Sequence, residues 1–345
     1  MKKRFFAFLK IFILSVFCLC SLSACSCTEP QAIVFNENFI KGFGSSLPTE
    51  FKEELIYTVK YKDDMYGYNI SNAISSSDFS FKEGSYKTTL TRLSVVPDEI
   101  KDNEIYKGLS STDKIYSFKT SFSIPVTYFG GTENAKDYTD TIESVVYFCS
   151  QGMSFAPIYS HTKASYTLFS VYGDEKFVEP VSYESSIVYG KTTYAITLST
   201  NGSENKTSQI KYDFKCLVDN AQLLFVLRNF EVTANEPKGL NVVSPNYEEY
   251  TNLGVYYSET HTEETENLLL NGKEVSEKIK LDKLYYKVNA AKNSGKEHYV
   301  YITNQENNGT IPNNAYVYKY VQPLIAYGNF EVMGSLEFLL VSITH

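Results

Sequence analysis

The sequence predicts a mainly β protein, built from large antiparallel sheets that are curved or stacked like a sandwich, with one or two short helices. Three observations carry this. The chain holds 29 Tyr and 23 Phe but no Trp, and Tyr, Phe, Thr and Val suit the pleated, half-buried setting of a strand. Apolar and polar residues alternate over several stretches, the two-residue period of a strand with one wet face. Tight turn signals separate these stretches, which favours antiparallel neighbours over the long crossovers that parallel pairs need.

The first segment stands apart from that sheet. Lys2, Lys3 and Arg4 precede an apolar stretch from Phe5 to Leu22 broken only by Lys10, Ser15 and Ser21, the layout of a secretory signal. It ends in Leu22-Ser23-Ala24-Cys25, which resembles the lipobox of bacterial lipoproteins: a leucine, two small residues and the cysteine that takes the lipid. The resemblance covers residues 1–25 only. It implies a signal peptide over 1–24, a diacylglyceryl group on Cys25, and a chain held to a cell membrane facing outside the cytoplasm. An uncleaved spanning helix would need about 20 apolar residues, and Lys10 and the closing cysteine argue against it. Two acyl chains anchor stably where one does not. Cys18 and Cys20 read as apolar filler, and Cys27 has no separate role.

Residues 25–47, with Pro30, Asn36, Asn38, Gly42 and Gly44, read as a lipidated tether, with a short structured stretch expected at Ala32–Phe35. Residues 48–345 then form the extracytoplasmic β domain, with room for two subdomains. Cleavage removes Lys2, Lys3, Arg4 and Lys10 from the 32 Lys and Arg, leaving 28 against 40 acids, a formal −12 in place of −8. Such a domain is a poor partner for nucleic acid, where Lys and Arg must neutralise phosphates, and an anionic bilayer surface repels it.

The elements follow in order. Glu50–Leu55, just after Pro48, fits a short helix. Phe118, Phe122, Ile124, Val126 and Tyr128 share one face of a strand whose other face carries Lys119, Ser121, Ser123 and Thr127; Pro125 places it at an edge or a bulge. Tyr194, Ile196 and Leu198 mark another strand. Ile210, Tyr212, Phe214, Cys216 and Val218 alternate with Lys211, Asp213, Lys215 and Leu217 in a third, with Phe214 on its buried face. Asp219 caps a helix over Asn220–Phe230, where Leu223, Leu224, Leu227 and Phe230 recur at helical spacing and Arg228 stands near the end that the dipole makes negative. Asn271-Gly272 between extended runs is a strong hairpin signal. A second turn is expected at Asn293–Lys296, between strands at Leu284–Val288 and Tyr299–Ile302. Tyr316, Tyr318 and Tyr320 alternate in a further strand, and Leu336–Ile343 is apolar enough to be buried.

Chemical motifs are scarce. There is no Gly-x-Ser-x-Gly elbow, His-Glu-x-x-His or phosphate loop, and no cofactor is implied. The four histidines are 161, 261, 298 and 345. His261 beside Glu263, Glu264 and Glu266 imitates a metal site but reads as a solvated loop, and His345 reads as inert. Asp137, Asp140 and Glu143, or Asp63 and Asp64, are the carboxylates that an acid-based hydrolase would draw on. Cys149 and Cys216 are candidates for a disulfide, set against a buried thiol at Cys216. The tyrosine surplus suggests an aromatic binding surface at Tyr316, Tyr318 and Tyr320, or at Tyr256-Tyr257 and Tyr285-Tyr286, for a small apolar or glycan ligand; the alternative is that these rings are cross-strand core partners.

Three function classes follow. The first is a non-enzymatic binding or carrier lipoprotein that holds its ligand in the concave face of a curved sheet, an architecture that resembles the half-barrel lipoprotein carriers in class alone. The second is a carboxylate-based hydrolase, and the third an adhesive or structural surface module.

Overall fold

The computed structural model describes residues 48–62, 79–128, 135–150, 156–172, 175–203, 206–212, 217–228, 237–245, 250–288, 297–304, 307, 309–311, 316–325 and 332–345. The signal-like segment, the tether with Cys25, Asp63 and Asp64, Phe214, Cys216 and the turn at 293–296 lie outside them.

Strand alternation governs almost everything that is described. The strands are β1 (Lys52–Lys62), β2 (Phe79–Phe81), β3 (Gly84–Arg92), β4 (Ile115–Tyr128), β5 (Lys136–Cys149), β6 (Ala156–Tyr172), β7 (Glu175–Tyr189), β8 (Thr193–Thr200) and β9 (Lys206–Lys211). They continue as β10 (Leu217–Asp219), β11 (Lys238–Val243), β12 (Thr251–Glu264), β13 (Leu268–Leu270), β14 (Lys273–Val275), β15 (Lys278–Val288), β16 (His298–Thr303), β17 (Val317–Ile325) and β18 (Val332–Thr344). Helices α1 (Asp98–Lys101) and α2 (Glu104–Lys107) follow β3, and a 3-10 turn at Asn220–Gln222 leads into α3 (Leu223–Leu227). Among the described residues no helix is long and apolar enough to cross a membrane.

One continuous sheet joins these strands. Its hydrogen-bonded order is β9-β8-β7-β6-β5-β4-β3-β1-β18-β17-β16-β15-β12-β11-β10. β2 prolongs the line of β3 along β4, and the β13–β14 hairpin lies against β18. Every pairing is antiparallel except β10–β11 and β13–β18. The sheet curls without closing into a barrel. Leu217 of β10 and Val243 of β11 pack with Ile158, Ile187, Tyr194 and Ile196 of β6–β8, so its last strands fold back over the inner face of earlier ones, as a strongly twisted sheet of this width tends to do. All the buried apolar side chains described lie between Phe51 and Ile343.

The inner face is packed at one end by α3. Phe225 on that helix stands 5.3 Å from Phe118 and 5.5 Å from Phe148, centroid to centroid, and Leu223, Val226 and Leu227 join the same core. Asp219 caps the turn as expected, accepting from the Ala221 amide at 2.8 Å. The helix itself is shorter than the spacing suggests, since it ends at Leu227.

Several expectations are corrected. Glu50–Leu55 is not helical, because Phe51, Glu53, Leu55, Tyr57 and Val59 alternate inward along β1. β4 is not an edge strand: it pairs β3 and β2 on one side and β5 on the other. Pro125 is tolerated there because it lies opposite the break between β2 and β3, where its carbonyl accepts from the Lys82 amide at 3.0 Å. Leu217, expected on the wet face, is 7% exposed, because β10 is covered on both faces. The acidic string at Glu259–Glu264 is strand rather than loop, with Glu259 paired to Lys283 of β15 at 3.2 Å.

The turn at Asn271-Gly272 forms as the sequence indicates, with φ of 48° and 77°, the left-handed pair of a type I′ hairpin. A second such pair, Asn201-Gly202 with φ of 48° and 69°, turns β8 into β9; the same dipeptide signal marks it in the sequence. Helices α1 and α2 were not expected. Each is a single turn, too short to show periodicity, and α2 is held by Asn103, whose side chain caps Ile105 and donates to the carbonyls of Ile158 and Tyr189 at 3.2 and 2.7 Å.

Candidate functional site

Cross-strand registry divides the inner face of β3–β7 into rows. Leu90, Phe118, Val146, Ser160 and Ile187 lie side by side and are 0–3% exposed. This row adjoins α3 and is dry. The next row along the strands is hydroxylated: Thr88, Thr120, Ser144, Thr162 and Ser185 are in register on consecutive strands. Ser144 and Thr162 share a hydrogen bond of 3.0 Å. Beyond it runs an apolar row of Tyr86, Phe122, Ile142, Ala164 and Tyr183.

These two rows are not fully packed. Phe122, Ile142, Ser144 and Thr162 remain half-buried although they point inward. The sheet therefore offers a concave patch on β4–β6 that combines aromatic, aliphatic and hydroxyl groups. Phe122 and Tyr86 lean on Phe338 of β18, with centroids at 6.1 and 5.5 Å, which forms the facing wall.

Asp140 of β5 stands next along the patch, opposite Ile124 of β4. Its Oδ1 accepts from the Thr167 amide at 2.9 Å. Tyr128 donates to the Thr167 carbonyl at 3.2 Å and sits 5.9 Å from the Tyr138 ring. Burial pushes the Asp140 carboxyl up to about 6, against hydrogen bonds from Thr167 that favour the anion. The carboxylate charge in turn adds to burial in raising Tyr128 and Tyr166. The pleat separates the neighbouring carboxylates: Asp137 and Glu143 are exposed on the outer face, Asp137 bonded to Thr127 at 2.5 Å, so neither joins Asp140.

That carboxyl makes stability depend on pH. Because its folded value lies above the ordinary 3.8, the folded protein binds the proton more tightly than the unfolded chain. Its contribution to stability is fully present below the ordinary 3.8 and is lost as pH rises through about 6. Asp140→Asn should therefore match the wild type near pH 4 and exceed it by about 1 kcal/mol at pH 8, a partial exposure discount on the roughly 3 kcal/mol of a two-unit shift. Urea titrations at both pH values check this; a gain of equal size at both would mean the charge is not responsible.

Three other buried polar groups are engaged within the fold. Arg228 reaches Glu53 with both terminal nitrogens, at 2.6 and 3.0 Å, and the two side chains are 3% and 1% exposed. Burial opposes the guanidinium charge, but Glu53 beside it holds the proton on and raises its pKa. Asp219 accepts from Tyr189 at 2.5 Å, and its burial raises its pKa. His298 shares its Nδ1 with the Tyr320 hydroxyl at 3.1 Å, and Tyr320 meets Tyr286 at 2.8 Å. Burial drives the His298 imidazole down to about 3, so it is neutral. His298 is 4% exposed and lies in the core beside these phenols.

The tyrosines singled out from the sequence separate into two groups. Tyr316, Tyr318 and Tyr320 are 1%, 1% and 4% exposed and belong to the core, not to a binding surface. Their hydroxyls meet His345, the Glu266 amide and Tyr286 at 2.7, 3.2 and 2.8 Å. The reason is that β17 has neighbours on both edges and the curl of the sheet covers its inward face. His345, read as chemically inert, has a structural contact here, its amide donating to Asn271 at 3.0 Å. Tyr256 and Tyr285, by contrast, lie half-exposed on the outer face, stacked at 5.0 Å with Lys287 over both rings. Tyr286 points the other way, into the core at 2%.

His261 lies 3.3 Å from Glu263, which also binds Lys319 at 2.5 Å, and among the described residues no cluster of His, Cys, Asp and Glu could hold a metal. Cys149 is buried, its thiol 3.8 Å from the Ala156 carbonyl; Cys216 lies outside the described residues. The half-buried inner patch and the placing of Asp140 at its end have no sequence signature, because the inward or outward sense of a residue depends on strand phase and its exposure on the curl.

No family model matches the chain, and no curated protein is similar to it. Among solved structures it is similar to one described as a β-barrel-like protein of domain of unknown function DUF1849 from Brucella abortus, at 9% identity and a TM-score of 0.46, over 86% of this chain and 98% of that one.

Proposed function

We propose that the protein is a lipid-anchored extracytoplasmic lipoprotein that binds a small amphipathic ligand in the concave inner face of its sheet and does not transform it. The observation that carries this reading is the half-buried state of Phe122, Ile142, Ser144 and Thr162 on an inward-facing surface. A patch of this kind gains from apolar cover, and its hydroxyls supply orientation, the usual make-up of a small-molecule site. Among the described residues the pleat turns Asp137 and Glu143 away from Asp140, so no carboxylate pair meets there and binding is the simpler role for the surface. The signal-like segment and Cys25 supply the location, at a membrane where apolar ligands are exchanged.

The test uses residues 26–345, which contain every described element, and a fluorescent acyl-chain probe. Ser144→Phe, which adds bulk to the patch at the cost of only the Ser144–Thr162 hydrogen bond, should weaken binding at least tenfold with a small fall in melting temperature. Unaltered binding would place the ligand elsewhere, and turnover of a glycan or peptide substrate that is lost with Asp140→Asn would replace this reading with a hydrolase. The anchor has its own check: in the full chain, Cys25→Ser should abolish metabolic labelling with a fatty-acid analogue and release the protein from the membrane fraction.

A further inference from the structure

The inward-facing acids differ in how they are engaged. Glu53 is bound through both oxygens by Arg228, and Asp219 is held by Tyr189 and the Ala221 amide. Asp140 is held by Thr167, whose amide takes one oxygen at 2.9 Å, and among the described residues no cation pairs with it. Around it stand Tyr128, bonded to the Thr167 carbonyl, Tyr138 against Tyr128 at 5.9 Å, and Tyr166 against Tyr183 at 6.2 Å. The concave patch therefore ends in a carboxylate bordered by phenol rings.

A half-buried carboxylate near tyrosine rings is chemistry that recognises an ammonium group: the charge pairs with the acid, and neighbouring aromatic rings suit a cation better than an anion. We infer that the ligand of the concave face is an amphipathic amine, its apolar chain on Phe122 and Ile142 and its ammonium head on Asp140. This rests on the binding role proposed above and adds the class of head group. The geometry supports it at both ends. The apolar row of Phe122 and Ile142 lies one step along the strands from Ile124 and Asp140, since consecutive inward residues on β5 are Ile142 and Asp140. An ammonium head at Asp140 thus places the first carbons of its chain against that row. Partial burial works in the same direction, because a carboxylate held away from water gains more from a matching cation than one at the open surface.

Octylamine, octanol and octanoate share one chain and differ in the head group, so they separate recognition of the head from binding of the chain. Titrating residues 26–345 with each at pH 8 by calorimetry should give octylamine binding at least tenfold tighter than octanol, with octanoate weakest. Asp140→Asn should erase the preference for the amine, so that octylamine binds no tighter than octanol. Equal affinity for octylamine and octanol in the wild type, or an amine preference that survives Asp140→Asn, would overturn the head-group assignment while leaving the carrier reading intact. Failure of all three to bind would overturn both. The comparison within the wild type holds even if the variant folds poorly.

Discussion

Arg228→Met is expected to cost about 3–5 kcal/mol, a large share of the roughly 5–15 kcal/mol by which a folded domain is stable. The side chain lies where α3 ends, packed 5.2 Å over Tyr316 and 5.8 Å from Phe225. Its guanidinium is the counterion of Glu53, 1% exposed on β1. Removing it strands a buried carboxylate without the cation that compensates its lost hydration. The double variant Glu53→Met with Arg228→Met removes both charges and should recover most of the loss, because burying two ions costs nearly as much as their attraction returns. Urea denaturation of the two single variants and the double one reads this directly. A double variant as unstable as the singles would mean that the pair contributes net attraction rather than mutual compensation of two desolvated charges.

Phe225→Ala should also cost about 3–5 kcal/mol, for a reason that involves no charge. The ring is 1% exposed and wedged between Phe118 of β4 and Phe148 of β5, at 5.3 and 5.5 Å. It is the contact by which α3 fills the dry end of the curled sheet. Loss of the ring leaves a void bounded by β strands that are hydrogen-bonded on both sides and cannot close on it. The neighbouring Leu224 is only partly buried, so Leu224→Ala should cost less than half as much. Equal losses at the two positions would mean that the helix meets the sheet through a different face.

Alternation along single strands is legible in the amino-acid sequence. β4 and β8 lie where the period-two pattern puts them, since a half-buried strand must show one apolar and one polar face, and β16, β18 and the second half of β15 lie where extended runs are expected. Turn chemistry is legible for the same local reason: Asn271-Gly272 provides the two residues that tolerate a left-handed backbone. Where the sequence misleads, a distant contact is responsible. Glu53 interrupts the apolar pattern of β1, and nothing near it in the chain announces that Arg228, 175 positions away, will neutralise it. Tyr316, Tyr318 and Tyr320 are legible as one face of a strand but not as core, for the period of two says which residues share a face without saying what covers it.

What the sequence determines by itself is therefore the class of fold, the positions of several strands and the resemblance of its first 25 residues to a lipoprotein signal; these depend on steric and apolar preferences that act over a few neighbours. What only the tertiary structure decides is which inward positions are sealed and which stay partly open. That depends on the curl of the sheet, which brings β10 and β11 over β6–β8 and sets α3 at one end. Leu90, Phe118 and Val146 become dry core and Phe122, Ile142 and Asp140 become a half-buried surface, although they share the inward face of neighbouring strands. The difference lies in what stands opposite them, and contacts between residues so far apart in the chain leave no trace in local composition.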